Sequence, residues 1–249
     1  GAITLGAIAA GGAAGLGNVT ISASAGLLNA ANNAGAEITA NILDVKSGIA
    51  FGETGNNGSI DLDVATLTFG TTSGLTGAVF VDDLRTGGTS TLGAMTTVGT
   101  NITYRSVNDA LTVGGAISTE AAAAAAPNAG GNVDIQTTVG SINVTGTIST
   151  IGGEENTGDV GTDGAAGNVV ITAGSTTRAA LDLDATINTY RIKGTDNQGT
   201  PGDITLKGSS IEYAKNITGK TIIMDTDADS SYLITEVLSG VVSKEDAGT

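Results

Sequence analysis

A short glycine-led motif recurs through most of the chain, and this repeat constrains the fold more than any other feature. The clearest copy spans residues 131–135 (GNVDI), and related copies begin at positions 17, 58, 99, 167 and 202. Successive starts are therefore 41, 41, 32, 36 and 35 residues apart. A recurring interval of this size is typical of repeat proteins whose units stack into one continuous core.

A second motif of alternating apolar and polar residues follows the first, as in 141–150 (SINVTGTIST), with counterparts at 2–10, 91–97, 110–119 and 180–189. This period of two is typical of half-buried strands. Segments of variable length, rich in Gly, Ala and Asn, then lead to the next glycine at 11–16, 52–57, 120–130, 152–166 and 194–201. Insertions at one point of a repeat predict loops stacked along one edge of a solenoid.

The repeat predicts an all-β fold, a single-stranded parallel β-helix of about six or seven coils, in which equivalent side chains form interior rows. Residues 1–209 are expected to hold these coils, and residues 210–249 an atypical terminal coil, cap or docking segment. Tyr104 is the large member of its row, so we expect it at a turn or on the outer face. The three predicted rows are Val19, Ile60, Ile102, Val133, Val169 and Ile204; Ile21, Leu62, Tyr104, Ile135, Ile171 and Leu206; and Leu5, Leu92, Val113, Val144 and Leu183.

The corner before each strand carries two residue types with structural roles. Glycine is expected to supply the unusual backbone angles of a sharp turn. The residue after it is Asn18, Asn132, Asn168 or Asp203, and these side chains are expected to bond up and down the stack as a ladder.

Composition excludes several classes of function. The net charge of −15 argues against a nucleic acid or an anionic membrane as partner. The chain has no Cys and no His, so it lacks thiolate nucleophiles, Cys-ligated zinc and the usual general base, which argues against an enzyme. No apolar run approaches the ~20 residues of a membrane helix, and the first residues lack signal-peptide features, so we expect no membrane insertion and a mature form or a fragment.

Segments 130–150, 167–171, 110–119 and 17–23 resemble the coils of filamentous haemagglutinin-type proteins and related bacterial surface exoproteins. In weaker form the resemblance covers about residues 1–208. It implies a right-handed parallel β-helix that is exported to the cell surface or beyond and acts as an adhesin stalk or fibre. The chain departs from that family in its shortness and in showing no recognisable secretion domain.

Four carboxylates near the end of the chain have the spacing of a calcium loop. Asp225, Asp227, Asp229 and Glu236 occupy positions 1, 3, 5 and 12 of that loop, although position 6 is Ser230 where the loop needs Gly. No other cofactor is predicted. An ordinary solvated turn is the alternative.

Two carboxylate pairs, Asp61 with Asp63 and Asp182 with Asp184, lie two residues apart on predicted strands, so each pair faces one side. Such pairs can act as acid and base on a polysaccharide. The alternative is an exposed strand face that charge keeps soluble.

These patterns together predict a structural, non-enzymatic extracellular fibre or adhesin scaffold. Its uncovered terminal strands are expected to associate end to end with other copies or with further repeats of a longer parent chain. Surface glycans are a possible further partner, and a carbohydrate-binding or carbohydrate-cleaving protein and a calcium-dependent surface module are the alternatives. The expected interface residues are Ile3, Leu5, Ile8, Tyr232, Ile234 and Val237.

Overall fold

The structure is a computed structural model of the 249-residue chain. It describes residues 3–12, 15–22, 26–29, 35–47, 50–52, 58–69, 75–107, 110–124, 126–155, 162–190, 199–226, 232–234 and 238–246. Within these ranges the fold is all-β, and no helix is present.

Nearly all of the strands belong to one 21-stranded sheet, in which every pairing is parallel. β1 pairs with β6 apart from that sheet, and β3 and β4 form a small antiparallel hairpin. The strands are β1 (Ile3–Leu5), β2 (Ile8–Ala9), β3 (Gly11–Gly12), β4 (Gly15–Leu16), β5 (Asn18–Ser22), β6 (Leu27–Asn29), β7 (Ile38–Ser47), β8 (Ile60–Thr68), β9 (Val79–Asp83), β10 (Thr89–Leu92), β11 (Met95–Thr96), β12 (Ile102–Ser106), β13 (Ala110–Val113), β14 (Ile117–Ser118), β15 (Val133–Thr137), β16 (Ile142–Val144), β17 (Ile148–Ser149), β18 (Val169–Thr172), β19 (Ala180–Leu183), β20 (Ile187–Asn188), β21 (Ile204–Gly208), β22 (Ser210–Tyr213), β23 (Ile217–Thr226), β24 (Tyr232–Ile234) and β25 (Leu238–Asp246).

The sheet curls into a solenoid. Each coil contains three strands separated by two bends of the chain, and each strand lies on a different one of three walls. In the regular coil 102–118, β12 lies on wall 1, β13 on wall 2 and β14 on wall 3. Each strand pairs with its equivalent in the next coil, so β12 pairs with β15, β13 with β16 and β14 with β17. The predicted parallel β-helix is confirmed.

Buried aliphatic side chains form continuous interior rows, because alternate residues of each strand point inward and the strands stack in register. All twelve members of the predicted rows between positions 92 and 206 are confirmed in register. The observed rows are Val79, Ile102, Val133, Val169, Ile204 and Ile222; Val81, Tyr104, Ile135, Ile171, Leu206 and Met224; Leu67, Leu92, Val113, Val144, Leu183 and Tyr213; and Met95, Ile117, Ile148, Ile187 and Ile217.

The predicted rows are wrong in the N-terminal coils. Val19 pairs with Leu43 on wall 2, and Ile21 pairs with Val45 there. Ile60 pairs with Val81, two positions from its predicted row, and Leu5 pairs with Asn29. The physical reason is that β7 and β8 each run through two walls without a glycine corner, so the sequence offers no marker of register there.

Tyr104 is also placed differently from the prediction. Its side chain points into the core with 1% of its surface exposed. Its hydroxyl donates a hydrogen bond to Asp83, which satisfies the one polar group that made an interior position unfavourable.

The corner glycine Gly99 has a φ of 66° and supplies the predicted unusual backbone angle, whereas three other corner glycines are required by close packing between coils. Gly131, Gly167 and Gly202 do not have positive φ, so the predicted role of unusual angles is wrong for them. A Cβ on Gly167 would lie 2.1 Å from the carbonyl oxygen of Gly131, and one on Gly202 would lie 2.0 Å from that of Gly167. No side chain fits between backbones that approach this closely.

The predicted corner ladder is present in a side-chain-to-backbone form. The backbone N–H of Asn132 donates to Oδ1 of Asn101 at 2.8 Å, and the N–H of Asn168 donates to Oδ1 of Asn132 at 2.8 Å. The N–H of Asp203 continues the series by donating to Asn168 at 2.8 Å. The ladder thus bonds four successive coils at one corner, but Asn18 was wrongly predicted to belong to it, because Asn18 pairs with Ile42 on wall 2.

Buried threonines close each coil. Thr150 Oγ1 donates to the carbonyl oxygen of Gly167 at 2.7 Å, while the N–H of Gly167 donates to the carbonyl oxygen of Thr150 at 2.8 Å. Thr189 and Gly202 exchange the same two bonds. This exchange joins the end of wall 3 to the start of the next coil's wall 1, across the variable loop.

Wall 1 runs through ten strands in succession: β2, β7, β8, β9, β12, β15, β18, β21, β23 and β25. The stack is therefore longer than the six or seven coils predicted. From position 210 onwards β22 to β25 continue the walls in parallel register. That this segment acts as a cap or docking element stays a prediction.

Candidate functional site

One row of wall 1 carries charged side chains on four consecutive coils. Strand register places Asp61 beside Asp82, Asp82 beside Arg105 and Arg105 beside Gln136. Glu37 immediately precedes Ile38, which pairs with Leu62, so Glu37 occupies the same row one coil before Asp61. The row therefore begins with three carboxylates on consecutive coils, Glu37, Asp61 and Asp82, which we name the acidic row.

Backbone and side-chain hydrogen bonds hold the acidic row in place. The N–H of Asp61 donates to Oε2 of Glu37 at 2.6 Å, and the N–H of Glu37 donates to the carbonyl oxygen of Asp61 at 2.7 Å. Ser59 Oγ donates to Oδ2 of Asp82 at 2.6 Å. Glu37 is only 1% exposed, and its Oε1 is buried without a hydrogen-bond partner.

The electrostatics of this row favour bound protons. Burial, followed by the negative charges of Glu37 and Asp82, raises the pKa of Asp61 to about 6. Burial also raises the pKa of Glu37, against the lowering effect of its backbone hydrogen bonds. The guanidinium of Arg105 lies 4.0 Å from Oδ1 of Asp82, at the far end of the row.

The two carboxylate pairs predicted from sequence differ: Asp61 belongs to the acidic row without Asp63, whereas Asp182 and Asp184 both belong to one acidic cluster with Glu212. Asp63 pairs with Thr39 and lies outside the acidic row. Asp182 pairs with Glu212 across wall 2. Burial, then the charges of Asp184 and Glu212, raises the pKa of Asp182. A raised pKa is a property of general acids, but both clusters stand on outward strand rows.

Asp225, the first residue of the predicted calcium loop, forms ion pairs with two basic side chains. Arg178 Nη2 lies 2.8 Å and Lys207 Nζ lies 3.4 Å from Oδ2 of Asp225, which is 8% exposed. These ion pairs neutralise the carboxylate locally. Asp227, Asp229 and Glu236 lie outside the described residues, so the calcium loop stays a prediction.

The predicted interface residues fall on the two end coils. Ile3 pairs with Leu27, and Ile8 pairs with Ile38, while Leu5 is buried at 5% exposure. At the other end Tyr232 pairs with Ile211, and Ile234 pairs with Tyr213. Val237 lies outside the described residues. Among the described strands, β1, β2, β5, β24 and β25 are each paired along one edge.

The stacked loops form a small cleft that sequence reasoning missed. Asp163 lies in it at 9% exposure, with Oδ1 accepting from the N–H of Glu155 at 2.9 Å and Oδ2 buried without a partner. Tyr190 and Thr200 line the same cleft. Its volume of about 10 Å³ suits roughly one water molecule and is too small for a sugar ring.

Sequence reasoning also missed Glu37 and Asp82 as partners of Asp61. Both positions lie 21 to 24 residues from Asp61 and belong to no copy of the glycine motif. The sequence does place an acidic residue next to an apolar one in each of these coils, in EIT (37–39), DLD (61–63) and VDD (81–83). Only the register between coils shows that these acids share one row.

Comparison with family models, with curated proteins and with solved structures gives no match to this chain. The resemblance to filamentous haemagglutinin-type coils therefore rests on the sequence motifs alone. Within the described residues no helix is long and apolar enough to cross a membrane. The same residues hold no group of three or more acidic side chains positioned to bind a metal ion.

Proposed function

We propose that this chain is a structural, non-enzymatic β-helical scaffold of an extracellular fibre or adhesin, extended by end-to-end stacking of coils. The observation that carries the proposal is the parallel register, which runs from β2 to β25 and ends on strands that, within the described residues, pair along one edge. An unpaired strand edge is a template for further strands.

The two ends are complementary in backbone geometry. Both present wall 1 and wall 2 strands of the same parallel arrangement, β2 with β5 at one end and β25 with β24 at the other. A head-to-tail contact between copies repeats without closing, which produces a filament. The occupant we propose for each open edge is a second copy, with further coils of a longer parent chain as the other outcome.

The outward surface suits a scaffold. On wall 3 the outward row pairs Thr96 with Ser118, Ser118 with Ser149, and Ser149 with Asn188. Small polar side chains at every level keep the wall hydrated and leave the coils free to stack at a uniform spacing of ~4.8 Å. The resemblance to bacterial surface exoproteins supports the extracellular location in this proposal.

Ala9 offers a sharp test of the stacking. The N–H groups of Ile8 and Ala10 donate inward to the carbonyl oxygens of Glu37 and Thr39, so the N–H of Ala9 faces the open edge. Ala9→Pro removes that donor while keeping both existing bonds, and it fits the extended backbone of Ile8. Ala9→Ser is the matched control because it retains the N–H.

The experiment is sedimentation velocity of the wild type and both variants over a range of concentrations. We expect the wild type and Ala9→Ser to form large polymers and Ala9→Pro to sediment as short species. Unchanged polymers in Ala9→Pro, with normal far-UV circular dichroism, would sink the proposed role of this edge.

A further inference from the structure

The acidic row is built from groups whose charges oppose one another. Glu37, Asp61 and Asp82 lie on consecutive coils, where paired residues sit ~5 Å apart. Like charges placed directly opposite on neighbouring strands are destabilising. Glu37 adds a second cost, because a carboxylate that is 1% exposed has lost its hydration and keeps one oxygen, Oε1, without a partner.

The surrounding charges leave most of this repulsion uncompensated. Arg105 lies 4.0 Å from Asp82, and its charge also acts on Asp134, while Lys46 on β7 is 3.4 Å from Asp44 on the same strand. Asp63 adds another acid on the outward side of β8, and Asp134 lies one coil beyond Arg105. β8 and β9 carry acidic side chains and no basic one, whereas β7 carries one of each, Asp44 and Lys46.

We propose that the acidic row is a proton-operated latch between the N-terminal coils, closed when its carboxyl groups carry protons and weakened when they ionise. A proton on Glu37 converts an acceptor-only carboxylate into a group with an O–H donor. The proton removes one of three stacked charges, so the buried oxygen no longer carries an uncompensated negative charge. The bond from the N–H of Asp61 to Oε2 of Glu37, at 2.6 Å, already ties the two coils at this point.

The sign of the pH effect follows from linkage. The pKa of Asp61 is raised to about 6 in the folded chain, from 3.8 without the fold. Between these values the folded state holds a proton that the unfolded state has released, so the stability contributed by this group falls as pH rises. The latch is therefore closed near pH 5 and open above pH 7.

Hydrogen exchange with mass spectrometry at pH 5.5 and 7.5, corrected for intrinsic exchange rates, tests the latch. We expect segments 35–47 and 58–69 of the wild type to be about tenfold more protected at pH 5.5. Segment 110–119, two coils away and without an ionisable side chain, is the internal reference and should change little. The double variant Glu37→Gln, Asp61→Asn should show the same high protection at both pH values.

Asp63→Asn is the matched control, since Asp63 lies on the same strand face outside the acidic row and its variant should keep the wild-type pH dependence. Equal protection of wild-type segments at both pH values would overturn the proposal. So would a double variant that keeps the wild-type pH response. A final measurement repeats the exchange at pH 7.5 with added calcium chloride. Protection restored by calcium would assign the acidic row to a divalent cation and contradict a proton latch.

Discussion

The hydroxyl of Tyr104 donates a 2.6 Å hydrogen bond to Oδ2 of Asp83, a carboxylate that is fully buried one coil earlier. Ser90 Oγ donates to the same oxygen at 2.6 Å, and the N–H of Arg85 donates to Oδ1 at 3.1 Å. A polar network inside a narrow aliphatic core is stable only when its members are satisfied. Tyr104 therefore fixes the register between two coils as well as filling the interior.

Tyr104→Phe tests this network. The variant keeps the ring and removes one donor to a buried carboxylate, so we expect the free energy of unfolding to fall by about 1.5–3 kcal/mol. Urea denaturation followed by circular dichroism measures the change. Tyr190→Phe, at the edge of the loop cleft, is the control and should change stability by less than about 0.5 kcal/mol; equal effects of the two variants would contradict the role of the network.

The reciprocal bond between Thr150 and Gly167 predicts a second stability effect. Thr150→Val keeps the shape of the buried side chain but leaves the carbonyl oxygen of Gly167 without its 2.7 Å donor. We expect a loss of about 1–3 kcal/mol in urea denaturation. Thr112→Val, on the outward side of β13, is the control, and a neutral Thr150→Val would show that the coil closure does not depend on the hydroxyl.

The glycine corner predicts a steric effect of a different kind. In Gly167→Ala the new methyl group would stand 2.1 Å from the carbonyl oxygen of Gly131, so neighbouring coils must separate. We expect a loss of at least about 2–3 kcal/mol, visible as a lower melting temperature. Gly114→Ala places its methyl 3.7 Å from Thr91 Cγ2 and should be tolerated. Similar melting temperatures for the two variants would refute the close-packing explanation.

Asp182 provides a prediction on pH. Burial, Asp184 and Glu212 raise its pKa, so its contribution to stability is lost as pH rises through that raised pKa. Glu212→Gln removes one repelling charge and should bring the pKa of Asp182 down, as measured by carbon-13 NMR titration of its carboxyl group. Glu120→Gln, which alters the acceptor of the Ser149 hydroxyl on wall 3, should leave that titration unchanged. A pKa of Asp182 that does not move in Glu212→Gln would contradict the assigned cause.

The regular coils were predictable from sequence because Val133, Ile135 and their equivalents follow a glycine-led corner motif that recurs in each of these coils. The same reasoning misplaced Val19, whose Gly-Asn motif looks identical but whose strand pairs on wall 2. Motif spacing cannot reveal that difference, since it depends on how the uninterrupted β7 runs through two walls.

Sites proved harder to predict than coils because they depend on neighbours distant in sequence. The spacing from Asp225 onwards resembles a calcium loop, yet Arg178 lies 47 residues earlier and binds that carboxylate. Asp61 was chosen for its proximity to Asp63, whereas its electrostatic partners, Glu37 and Asp82, come from the coils on either side. Charge pairing across coils appears only once the register is known.

The proposed scaffold function is tested most directly by electron microscopy of the purified chain, combined with its intact mass. We predict unbranched fibres one solenoid wide, built from subunits of 24.2 kDa, with the ~4.8 Å strand spacing along the fibre axis. Discrete rods of a single subunit at every concentration would contradict end-to-end assembly of this chain.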